Sequence, residues 1–82
     1  MYKPDKIPVF TKLSEVESPV FRKYPWLVEE VCRTPEDAWK AGERWYEEGV
    51  RGDRFGFIGF VLGAVKVRDG YQCAVVAFHS DT

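Results

Sequence analysis

The chain has 82 residues, 45% of them hydrophobic and 30% charged, with a formal net charge of −1. A chain of this size makes one domain near the lower limit for folding without metals or disulfides, and its composition reads as soluble and globular rather than disordered. Charge is unevenly spread, residues 1–28 summing to +2, 29–48 to −4 and 49–82 to +1, so no stretch forms the basic stripe that nucleic-acid binding usually needs.

Cys32 and Cys73 stand apart, and His79 is the one histidine, so a tetrahedral zinc site cannot be assembled from this chain alone. Two buried thiols and no cofactor are the expectation. The start, MYKPDKIPVF, has no apolar run of signal-peptide length, and the run over 55–65 is too short and glycine-rich for a membrane span. The chain reads as a soluble cytoplasmic domain with no membrane partner.

All five prolines lie in residues 1–35 and all seven glycines in 42–70, which separates a proline-punctuated part (1–33) from a main helix (34–49) and a β-hairpin (55–79). In the first part, Ile7-Pro8-Val9-Phe10-Thr11-Lys12-Leu13 suits a strand, with Pro8 at its start or on an edge. YPWLVEEVCR, residues 24–33, places Pro25 at a helix start with Trp26, Leu27, Val28 and Val31 as apolar contacts, which predicts a short helix.

TPEDAWKAGERWYEEG is the clearest element. Thr34 can cap a helix, Pro35 suits the first helical position, and Gly49 suits a left-handed stop. At 100° per residue, Ala38, Trp39, Gly42, Trp45 and Tyr46 share one arc. Glu36, Asp37, Lys40, Glu43, Arg44, Glu47 and Glu48 occupy the other, with Glu36–Lys40 and Arg44–Glu48 as i,i+4 pairs. Gly42 would cost about 1 kcal/mol against alanine inside a helix, so a close approach of the backbone to a sheet is its expected compensation.

Asp69-Gly70, between VKVR and YQCAVVAF, predicts a two-residue hairpin turn. The implied register pairs Arg68–Tyr71, Lys66–Cys73, Ala64–Val75, Leu62–Ala77 and Phe60–His79. The face of Val61, Gly63, Val65, Val67, Gln72, Ala74, Val76 and Phe78 is the more uniformly apolar, so it is assigned to the helix. The predicted fold is α+β in the order β-α-α-β-β: a small antiparallel sheet, made of the C-terminal hairpin and an N-terminal strand, packed against the amphipathic helix and a short one.

Within the hairpin, Phe55-Gly56-Phe57-Ile58-Gly59-Phe60 resembles the last six positions of the strand signature of the RNA-recognition motif family. The two preceding positions, Asp53 and Arg54, depart from it, and a hairpin follows where that family has a helix. The resemblance implies a single-stranded nucleic-acid module using Arg51, Arg54, Phe55 and Phe57, the aromatics stacking on bases. The predicted register instead places Phe55 and Phe57 beneath the helix, unless a bulge at Gly59 reverses the alternation.

The second sheet face would carry Ile58, Phe60, Leu62, Val75 and Ala77, bounded by Lys66, Arg68, Tyr71 and His79. Residues 7–31 are expected to fold over it; left open, it is a candidate partner or homodimer surface. Arg51-Gly52-Asp53 matches an adhesion tripeptide, but a loop glycine is the simpler explanation. His79-Ser80-Asp81 are consecutive and diverge, and Cys73 and His79 lie six residues apart on one strand, about 20 Å, so no catalytic constellation is expected. The expectation is a small non-catalytic protein-binding domain, an inhibitor or accessory factor. Its partner would be a protein, with a basic surface if Glu36, Lys40, Glu43, Arg44 and Glu47 form the contact. Phe60, Leu62, Lys66, Arg68 and Tyr71 are the second candidate surface. Small phage-encoded inhibitors of host defences such as CRISPR-Cas are an analogy of size and style, with no motif behind it.

Overall fold

A computed structural model describes residues 3–50 and 56–80. The chain is a small α+β domain with one main helix and a four-stranded mixed sheet. Its elements are β1 (Val9–Phe10), a 3-10 turn (Leu13–Glu15), β2 (Trp26–Leu27), α1 (Pro35–Trp45) continued by a π-helical turn (Tyr46–Val50), β3 (Phe57–Val67) and β4 (Gly70–His79). The strand order is β1-β3-β4-β2. β1 runs parallel to β3, and the other pairings are antiparallel.

Two expectations about the first half are corrected. The N-terminal strand exists, but it is two residues long and parallel, with Val9 opposite Ala64 and Phe10 opposite Val65. The predicted short helix over 24–33 is absent, because its apolar residues pair with the edge of β4. Trp26 lies opposite Val75 and Leu27 opposite Ala74. Val28 N–H donates to Cys73 O at 2.9 Å, and Cys32 exchanges backbone bonds with Tyr71 at 2.7 and 2.8 Å. Gln72 Nε2 holds the carbonyls of Val28 and Glu29. A strand edge offers backbone partners all along its length, and a ten-residue amphipathic segment gains more by satisfying it than from an isolated turn of helix.

α1 begins as its sequence dictates, with Thr34 Oγ1 accepting from Asp37 N–H at 3.1 Å and Pro35 in the first turn. Ala38, Trp39, Ala41 and Gly42 are buried. Gly42 lies against β4, where a Cβ would collide with Cys73 Sγ and stand 2.9 Å from a methyl of Val61. Gly49 does not make a left-handed stop. The last turn widens instead, which carries Val50 inward until it and Trp45 rest over Gly59.

The hairpin turn is Arg68-Asp69, one residue earlier than predicted, with Val67 opposite Gly70. Gly70 is needed in the strand itself: a Cβ there would strike the Cys32 carbonyl, and its φ is 155°. Lys66 therefore pairs with Tyr71, Ala64 with Cys73 and Val65 with Gln72. A bulge at Leu62, between Val61–Val75 and Gly63–Ala74, then reverses the alternation along the rest of β3.

That bulge divides both predicted faces. The helix side carries Ala64, Cys73 and Val75 in one core with Ala38, Trp39, Ala41, Ile7 and Cys32, and Val61, Trp45 and Tyr71 pack against it. The second side carries Val65, Ala74 and Val16, with Phe10, Leu13, Leu27 and Leu62 around them. So the helix covers the face opposite to the one assigned from hydropathy near the turn, although Val61 stays on the helix side. The N-terminal segment covers the upper part of the second face. There Thr11 N–H and Oγ1 and Lys12 N–H converge on Glu15 Oε1, which holds the Glu15 carboxyl below its usual range.

Candidate functional site

Large apolar side chains are uncovered at Phe21 and Tyr24, 86% and 80% exposed, and in a run along the first half of β3. Phe57 is 41%, Ile58 42% and Phe60 38% exposed. Phe57 keeps to the helix side, as its register with Val61 predicts, but it lies beyond the helix rather than beneath it. Its ring meets His79 edge-on at 5.2 Å between centroids. There it lines an open cleft of about 220 Å³ with Trp26, Trp45, Gly49, Val50 and Ala77. Trp26, itself half-exposed, meets Trp45 edge-on at 5.9 Å.

Trp26 is not among the candidate residues read from the sequence, because the helical reading of 24–33 makes it a core contact. Its strand position opposite Val75 aims it at the helix side of the sheet. The signal in the sequence is Pro25 before a Trp-Leu pair, which suits a short edge strand as well as a helix start.

Ile58 and Phe60 lie on the second face, in register with Phe78 and Val76. Leu62 shares that face but is half-buried against Val65 and Ala74. Val75 and Ala77, predicted to join this patch, face the helix instead. The predicted rim also moves away. Lys66 and Tyr71 are paired near the turn, about 30 Å along the strand from Phe57. Lys66 Nζ donates to Val67 O at 2.9 Å and sits 5.3 Å from the Tyr71 ring centroid, which ties these residues to the turn. Arg68 is exposed within it.

Among the described residues the outer backbone edge of this half-strand is open. β1 pairs only with Ala64 and Val65, and among the described residues no other backbone group bonds to the outer edge of 57–62. The corresponding stretch of β4 is flanked by the residues leading into β2, with Lys23 Nζ 5.9 Å from the Phe78 ring centroid.

The outward face of α1 carries Glu36, Lys40, Glu43, Arg44 and Glu47, as predicted. Arg44 takes Glu30 as its partner rather than Glu48: Arg44 Nη2 lies 2.8 Å from both Glu30 oxygens. This cross-link raises the Arg44 pKa and joins the 28–33 segment to the helix. Glu30 and the outward face of α1 thereby share one surface.

The thiols are poorly suited to nucleophilic work, which requires the thiolate. Burial pushes Cys73 up to about 12. Burial and the Glu30 carboxylate, 3.8 Å from its sulfur, raise Cys32. Among the described residues no group of three or more His, Cys, Asp or Glu side chains is placed to hold a metal ion, and no helix is long and apolar enough to cross a membrane. Arg51, Arg54 and Phe55, with the Arg51-Gly52-Asp53 tripeptide, lie outside the described residues. Comparison of this chain with protein-family models, with curated proteins and with solved structures finds no match.

Proposed function

We propose that this chain is a non-catalytic protein-binding domain, an inhibitor or accessory factor that acts by contact. The observation that carries this reading is the first half of β3, where Phe57, Ile58 and Phe60 are exposed on two faces beside an unpaired edge. Three large apolar side chains within four residues of one strand gain free energy when a partner covers them.

The acidic face of α1 supplies a second contact. With Arg44 engaged by Glu30, the outward charge is dominated by Glu36, Asp37, Glu43 and Glu48, which favours a partner with a basic surface. Inhibition of a host defence complex such as CRISPR-Cas is one role within this class; its support is the small size and the charged helix face alone.

The test is affinity capture from a lysate with three baits: the parent, Ile58→Ser/Phe60→Ser, and Glu43→Lys/Glu47→Lys, each shown to be folded by circular dichroism. Proteins recovered by the parent should fall at least tenfold with the β3 variant and several-fold with the helix variant. Recovery that is equal with all three baits rejects both surfaces.

One observation favours a second reading, a single-stranded nucleic-acid module. Phe57 is exposed with His79 against it, as a stacking residue would be. Titration with single-stranded RNA across a salt series should then show binding that weakens with salt and drops about tenfold for Phe57→Ala. No binding by the folded parent at low salt removes this reading.

A further inference from the structure

We infer that the open edge of β3 is the seat of a second copy of this chain, the two β3 strands pairing antiparallel about a two-fold axis at Gly59. The inference rests on β3 being a contact strand and names what lies against its edge.

Sheet edges in this fold are mostly guarded. β1 and β2 are two residues long, each preceded by a proline, Pro8 and Pro25. The free part of β4 lies beside Lys23. These are the usual means by which an edge is kept from pairing with another chain. Between Gly56 and Val65, by contrast, β3 has no proline and no charged residue. Residues 57–62 make an edge of about 20 Å, the length of an ordinary strand. Among the described residues the chain entering β1 does not cover it: that segment bends at Asp5 and Lys6, and Ile7 packs into the helix-side core.

The occupant follows from symmetry and charge. In a two-fold pairing each residue i that meets j also has j meeting i, so the edge must be complementary to itself. Centred on Gly59, the register sets Ile58 against Phe60 of the other copy, twice, on the second face. It sets Phe57 against Val61, also twice, on the helix side. Every pair is apolar, of the aromatic and β-branched kinds that stabilise neighbouring strands. The two glycines meet at the axis. A second copy brings the same charges as the first, and an edge without charge lets identical chains meet with no like-charge opposition. The pairing joins two four-stranded sheets into one of eight strands, and leaves both acidic helix faces outward for other partners.

Light scattering on the full chain tests this. The mean mass should rise from 9.5 kDa towards about twice that as concentration goes from ~10 μM to ~1 mM, the range suited to an interface this small. Ile58→Lys alone and Phe60→Glu alone should each remain monomeric across that range, since each sets a charge against an apolar neighbour. Mixed in equal amounts they should dimerise again, because this register alone places the introduced lysine of one variant against the introduced glutamate of the other. Both positions are half-exposed, so the monomers should keep the parent's circular dichroism. A parent that stays monomeric at the highest concentration overturns the inference while leaving the capture experiment on the same strand free to succeed. A dimer that both variants leave intact places the axis elsewhere, and a mixture that stays monomeric removes the Gly59 register.

Discussion

Gly42→Ala is expected to destabilise the domain by ~1–3 kcal/mol, although the same change in an exposed helix would stabilise it by about 1 kcal/mol. The two effects compete at one atom. Alanine gains helix propensity, but its methyl would overlap Cys73 Sγ and crowd Val61. Neither Cys73 nor the strand behind it can yield, since Cys73, Ala74, Val75 and Val76 are all fully buried. The helix must therefore lift from the sheet along its middle, loosening Ala38 and Trp39 as well. Chemical denaturation of the parent and variant measures the difference. A neutral or stabilising outcome would show that α1 can shift along the sheet without loss of packing. Gly49→Ala is the matched control, because nothing lies within 4 Å of the position.

The second large effect is a loss of stability at high pH that belongs to Cys73. The folded thiol is raised from 9.0 to about 12 by burial. Below pH 9.0 both folded and unfolded chains hold the proton and stability does not depend on it. Above that the unfolded chain releases the proton while the folded chain retains it, so the unfolded state is favoured increasingly until about pH 12. The expected slope is about −1.4 kcal/mol per pH unit over that window. Cys32, also raised, acts in the same direction. The measurement is the difference between the parent and Cys73→Ala in urea melts from pH 7 to 11, which isolates this thiol from every other group. The variant starts lower because of the volume lost, and its curve should be flatter. Parallel curves would mean that the thiolate forms in the folded state at little cost, and Cys73 would then have to be read as accessible.

The parts of the fold legible in the sequence are those set by local chemistry. α1 begins at Thr34-Pro35 because a hydroxyl cap and a fixed φ need no tertiary help. Its buried arc follows from helical periodicity. Asp69-Gly70 marks the hairpin, but the turn lies one residue earlier because Gly70 is required where Cys32 crosses the strand. Hydropathy near the turn points to the wrong face for the helix. α1 packs instead on Ala64, Cys73 and Val75, with Gly42 closing on Cys73 and Val61, although Gly63 and Ala74 on the other face are at least as small.

The candidate site is half visible in the same way. Phe57 and Phe60 stand out as an aromatic, glycine-spaced run, and their separation onto two faces follows from strand alternation. The run from Phe57 to Phe60 precedes the bulge, so its alternation survives, whereas Val75 and Ala77 are grouped with it only by a register that the bulge at Leu62 breaks. Trp26 and the Glu30–Arg44 pair cannot be found from spacing, because they are joined to the site by contacts across 19 and 14 residues of chain.

By itself, the sequence determined a small α+β domain, the start and buried face of its helix, the presence of a hairpin and an uneven distribution of charge. Each depends on interactions within a few residues, where propensity, capping and periodicity act. Only the tertiary structure decided that 24–33 runs along the edge of β4 with Trp26–Leu27 as a strand, that β1 is parallel, which face of the sheet takes the helix, and that the outer edge of β3 is left open among the described residues. Those outcomes depend on competition between distant segments for the same backbone hydrogen bonds and the same apolar surface. One bulged residue is enough to change which face the rest of β3 presents, because a strand's side chains alternate with a period of two.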